Sequence, residues 1–197
     1  MGRSRLALAR GDIPEAVSMA TRAVELASEV KSEFNKANTL LSLFAAHAAA
    51  LDWDRAEVTL AESSGIGFRM RPIPAIAALH LARGRVAQAI ATADECIENG
   101  ESLSRAQAHL LRAHIRLRSE GADARAAVES DHAAALALIE TLGVELARPA
   151  LHESRAELAR VLGDEAAALR ELREAHRLYT AMDATGHAAR LARELAL

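Results

Sequence analysis

The 197-residue chain has one cysteine, four prolines, five aromatic residues and no extended apolar run. Each shortage excludes something. A lone thiol, Cys96, can form neither an internal disulfide nor a multi-cysteine metal site. It shares the apolar face of a helical segment with Ile97, where cysteine behaves as a small hydrophobe. The most apolar stretch, from Leu40 to Leu51, is too short to cross a bilayer and contains Ser42 and His47. The start, Met1-Gly2-Arg3-Ser4-Arg5-Leu6, lacks the apolar centre of a signal peptide and the hydroxyl at position six that myristoylation needs. A cytoplasmic location with no membrane association is the expectation. No run of one charge sign appears either: 27 acidic and 24 basic residues, net −3, are spread along the chain. Nucleic-acid binders concentrate positive charge on a patch or arm, so no direct nucleic-acid contact is expected. Lysine is nearly absent, with only Lys31 and Lys36 beside 22 arginines. Together with the alanine excess, that suggests a GC-rich bacterial genome.

What is abundant is alanine and leucine, 47 and 27 residues. With so few aromatics and prolines, these point to helix and leave little strand material. So many small side chains also imply helices that approach closely. Five turns recur, each followed by an alanine at one distance: Gly11 with Ala16, Leu51 with Ala56, Gly84 with Ala89, Gly121 with Ala126, and Gly163 with Ala168. After the first, Ile13, Ala16, Val17, Ala20, Ala23, Val24 and Ala27 follow the spacing of an amphipathic helix. Asp12 and Glu15 have the spacing of a capping box. The same reading places helices at roughly 3–10, 33–50, 53–64, 73–83, 86–99, 102–119, 122–142, 147–162 and 184–195. Two more follow Asp12 and Asp164, making about eleven, paired as antiparallel hairpins by short connections. The stretch near 64–74 holds two glycines and two prolines and is expected to be an irregular connection within a single domain spanning 1–197.

A glycine or its substitute, an alanine five residues on and a small or apolar residue seven further (Ala23, Cys96, Ala175) resembles the second half of a tetratricopeptide repeat. Ala77 and Ala156 stand at that family's small packing position in the first helix; Phe44 stands there in the second unit, and the closing proline is missing. The tail is more specific. Leu158-Ala159-Arg160-Val161-Leu162-Gly163-Asp164, then Glu171 to Tyr179, then Ala184 to Leu195, resembles the C-terminal part of large bacterial signalling ATPases, some linked to cyclase or DNA-binding domains. The resemblance implies an all-α, tetratricopeptide-like superhelix (a solenoid) of about eleven helices, serving as the sensor or scaffold portion of a longer polypeptide.

Motifs that would carry chemistry are missing. Gly65-Ile66-Gly67 lacks the third glycine and preceding strand of a dinucleotide fold, and reads as turn punctuation. No two of the eight histidines lie three or four apart, and Glu129-Ser130-Asp131-His132 holds a single Glu-x-x-His where a dimetal bundle needs two. Surface or cap histidines, with no metal and no cofactor, are expected. There is no Gly-x-Ser-x-Gly elbow, so the chain is not read as an enzyme. Tyr179 should pack its ring and turn its hydroxyl outward. Trp53, just after a helix cap, could cover a hairpin end or stack on a ligand. On one helix face lie Arg105, His109, Arg112 and Arg116, beside the buried stripe Ala106, Leu110, Ala113 and Leu117. A solvated face pairing with acidic neighbours is the simple account. The sharper expectation is a stripe that faces the groove and receives an acidic peptide, lost on Arg112→Glu with Arg116→Glu. Three functions are open: a protein-interaction scaffold or sensor module of a multidomain signalling or regulatory protein, a small-molecule effector sensor, and a stand-alone helical enzyme. The partner would be a protein, a peptide or a neighbouring domain, and the uncapped first helix could self-associate.

Overall fold

The computed structural model describes residues 2–66 and 73–196, and every regular element among them is helical. Among the described residues there are eleven α-helices: α1 (Gly2–Arg10), α2 (Ile13–Glu29), α3 (Glu33–Ala49), α4 (Trp53–Gly65), α5 (Pro74–Ala82), α6 (Val86–Asn99), α7 (Ser102–Glu120), α8 (Arg125–Leu142), α9 (Arg148–Val161), α10 (Glu165–Ala181) and α11 (Thr185–Glu194). Short 3-10 turns, Gly121–Ala124 and Glu145–Ala147, precede α8 and α9. The chain divides into two compact units, residues 1–70 and 71–197. The division falls inside the connection near 64–74, of which residues 67–72 lie outside the described residues. Gly67 is among these; Gly65 ends α4. None of the described helices is long and apolar enough to cross a membrane.

The turns have one physical design. Gly11 adopts a left-handed φ of 77°, its N–H bonds to the Leu8 carbonyl, and the Asp12 N–H reaches back to Ala7. That is a Schellman closure, which satisfies the last carbonyls of the outgoing helix. The Asp12 side chain then accepts the Glu15 N–H at 3.1 Å and opens the next helix. One residue thus ends α1 with its backbone and starts α2 with its carboxylate. Asp52 and Asp164 repeat this at Leu51 and Gly163, and Arg85 supplies the backbone half at Gly84. The alanines that follow, Ala16, Ala56, Ala89 and Ala168, are wholly buried and bond through N–H to the capping residue's carbonyl.

The turn at Gly121 departs from the pattern. A 3-10 turn intervenes before α8, Ala126 is exposed, and Ala124 and Val128 take the buried places. The extra turn shifts register, so the fixed spacing to Ala126 does not carry a packing role. Asp183, at φ 55°, forms a further Schellman closure before α11 that the repeat had not revealed.

In the first unit α1, α2 and α3 enclose Ala7, Ala16, Ala20 and Ala46, while Phe44 and Leu40 are buried on α3. Ser4 reaches the Ala16 carbonyl at 3.0 Å. In the second unit each helix from α5 to α11 packs on the next, and α7 also packs on α5 and α9. Small residues permit this: Ala106, Ala113, Ala135 and Ala156 are all buried at helix contacts. Cys96 is buried on α6, and burial pushes its thiol up to about 11.

Candidate functional site

Helix α7 is central to the second unit, with only Gln107 and its last three residues exposed. His109, Arg112, His114 and Arg116 therefore face other helices, and they divide into two constellations.

The first centres on Asp131 of α8, whose side chain is 1% exposed. His109 Nδ1 lies 2.9 Å from its carboxylate, Arg112 Nε donates at 3.1 and 3.2 Å, and Arg116 Nη1 donates at 2.7 Å. Arg112 also reaches Asp94 on α6. Burial by itself would raise the Asp131 pKa. Hydrogen bonds from His109 and Arg112, and the charges of Arg112 and Arg116, outweigh it and hold the carboxyl below the usual range.

The structure thus brings together three members of the predicted stripe, His109, Arg112 and Arg116. They converge on α8 and α6 inside the unit, where the expectation had them face a groove. Arg105, one turn earlier, is half-buried and makes no contact with Asp131; its alkyl chain runs beside Gly100. Reversing Arg112 and Arg116 to Glu would set new carboxylates against a buried one, so a loss of binding in that variant would report on folding.

The second constellation lines an open-sided cleft of about 480 Å³ between α7, α9 and α11. Leu110, Leu111 and Leu172 give it an apolar floor; Glu153, Glu157, Arg160, His114 and Glu194 form its walls. His114 Nδ1 sits 2.8 Å from both Glu157 oxygens. Arg160 bonds Glu194 at 2.7 Å. Glu153 accepts the Tyr179 hydroxyl at 2.8 Å and Arg190 Nη2 at 2.7 and 2.9 Å. Tyr179 therefore does not turn its hydroxyl to solvent. Its ring stacks on His187 with centroids 4.7 Å apart, and burial beside Glu153 raises its pKa strongly.

Several histidines read as surface or cap residues are buried: His47, His109 and His132. His132 Nε2 lies 2.8 Å from Ser154 Oγ, at the cleft wall. This has the spacing of a nucleophile and its base, but the chemistry does not follow. Burial lowers the His132 pKa to about 4, with the Arg155 charge second, which leaves a poor base. Ser154 also sits in mid-helix, where neighbouring N–H groups serve the helix ladder and cannot form an oxyanion hole. Among the described residues no three His, Cys, Asp or Glu side chains gather where a metal ion could sit. Trp53, half-buried at the start of α4, takes no part in either constellation.

Asp131 and Glu153 escaped the sequence reading, though Asp131 left a trace. It falls in register with Val128, Ala135 and Ile139, the buried stripe of α8. An aspartate in an apolar stripe, behind a helix carrying a cationic one, is the pattern of an internal ion pair. No family model, curated protein sequence or solved structure matches this chain.

Proposed function

We propose that this chain is a non-catalytic interaction module: a tetratricopeptide-like helical superhelix whose cleft between α7, α9 and α11 receives a linear segment of a partner protein or of a neighbouring domain. Its setting would be a multidomain bacterial signalling or regulatory protein. The cleft carries the reading. It is open-sided, has an apolar floor and bears partly exposed hydrogen-bonding groups along its walls, a shape suited to an extended or helical peptide. Supporting it are the repeated Schellman-and-cap turns and the packing of alternate helices, α5 on α7 and α7 on α9.

The small-molecule reading has its own place, a second cleft of about 380 Å³ edged by Leu103, Val144, Leu146 and Met182. It offers few polar groups to orient a ligand. The test selects peptides from a random displayed library on the full chain, then maps them by amide chemical shift. Shifts at residues 110–114, 150–157 and 190–194 are expected. Selected peptides that perturb only other residues would overturn the reading. Shifts clustered at 103 and 143–146 on adding small metabolites would favour the alternative.

A further inference from the structure

Charge in the cleft between α7, α9 and α11 is unbalanced. Three carboxylates, Glu153, Glu157 and Glu194, meet two guanidiniums, Arg160 on Glu194 and Arg190 on Glu153, and the His114 imidazole on Glu157. Their acceptor capacity is unevenly used. An ionised carboxylate has about four acceptor positions. Glu153 spends most of them on Tyr179 and Arg190. Glu157 meets a single imidazole nitrogen and Glu194 a single guanidinium nitrogen. Both side chains are about a third exposed, 35% and 34%, so their remaining lone pairs are within reach of the cleft.

A partner must match both these acceptors and the leucines below them. A long cationic side chain does so, laying its alkyl stem on Leu110 and Leu111 and its charged head on a carboxylate. An acidic segment would meet the like charges of Glu157 and Glu194. A purely apolar one would cover acceptors without satisfying them, which costs more than its burial returns. We infer that the cleft binds a linear segment carrying arginine or lysine next to an apolar residue, with Glu157 and Glu194 accepting its cation. This rests on the cleft being the binding surface of an interaction module.

The test titrates the full chain with three fluorescent heptapeptide pools of equal leucine content, one rich in Arg and Lys, one in Asp and Glu, one in Asn and Gln. The basic pool is expected to bind about tenfold tighter than the others, to weaken as salt rises, and to shift the amides of residues 110–114, 153–157 and 194. Glu157→Gln and Glu194→Gln should each weaken it about threefold to tenfold, with the urea midpoint unchanged. Preference for the acidic or neutral pool at those same amides overturns the basic partner and leaves the cleft standing. Basic-pool affinity unchanged in the double variant overturns it equally. If no pool moves those amides, the cleft reading fails as well.

Discussion

Asp131 places a charge where charge is expensive, and His109, Arg112 and Arg116 offset that cost from three successive turns of α7. Removing one partner of such a group is worse than never having built it, because the others stay behind uncompensated. Arg112 and Arg116 keep 20% and 25% exposure, so water relieves part of the penalty. Asp131→Asn should lower unfolding free energy by about 3 kcal/mol at pH 7, read by urea denaturation. A depressed carboxyl pKa contributes stability that is complete above the unfolded value of about 4 and lost as pH falls through the folded value. The gap between wild type and variant should therefore begin to narrow below about pH 4 and close once pH has passed below the folded value. A gap that stayed constant there would mean the carboxylate charge is not the cause. His132 acts over a different window. Its pKa of about 4 lies below the unfolded value, so the unfolded chain takes up a proton first as pH drops. Stability should fall between about pH 7 and 4 by up to about 3 kcal/mol, and His132→Gln should flatten that slope.

At the scale of the element, the turns explain why helices form where they do. Helical period, an aspartate cap and a left-handed residue all act within a few positions, so boundaries from α1 to α11 could be read from the sequence to within a few residues. The Gly121 turn could not, because a 3-10 start and an α start use the same residues and differ only in what they bury. Backbone strain separates the turns from one another. Gly163 sits at φ 78° with open space where a Cβ would go, so Gly163→Ala should cost about 1 kcal/mol through φ alone. Leu51 occupies the equivalent place at φ 58° with 71% of its surface exposed. Leu51→Gly should raise stability by up to about 1 kcal/mol, seen as a higher melting temperature. Gly65, with no left-handed φ and no close neighbour among the described residues, is the control: its alanine variant should be neutral or slightly stabilising. If the Gly163 and Gly65 variants melt alike, the strain account fails. Asp164→Ala should cost about 1 kcal/mol through the lost Ala167 N–H bond.

Across the molecule, the second unit has a built-in reporter. Cys96 is buried with its thiol pushed up to about 11, so labelling by a thiol reagent requires the unit to open. Native labelling should run roughly a thousandfold slower than in strong denaturant, and Asp131→Asn should speed it. Prompt labelling of the folded chain would mean that α6 opens locally. The same unit separates what is local from what is not. Composition and period determined an all-helical chain, its turns and its alanine contacts, since each depends on neighbours within about one or two helical turns. Which polar residues meet was decided only in three dimensions. The bonds to Asp131 span 15 to 22 positions, and His114 to Glu157 spans 43. Because α7 is enclosed on nearly every side, its period cannot tell the face turned to α8 from the face turned to the cleft. One helical position rotates a side chain by about 100°, enough to move it from an internal ion pair to a binding wall. Packing of α7 against α5, α6, α8 and α9 makes that choice, setting Arg112 on Asp131 and His114 on the cleft.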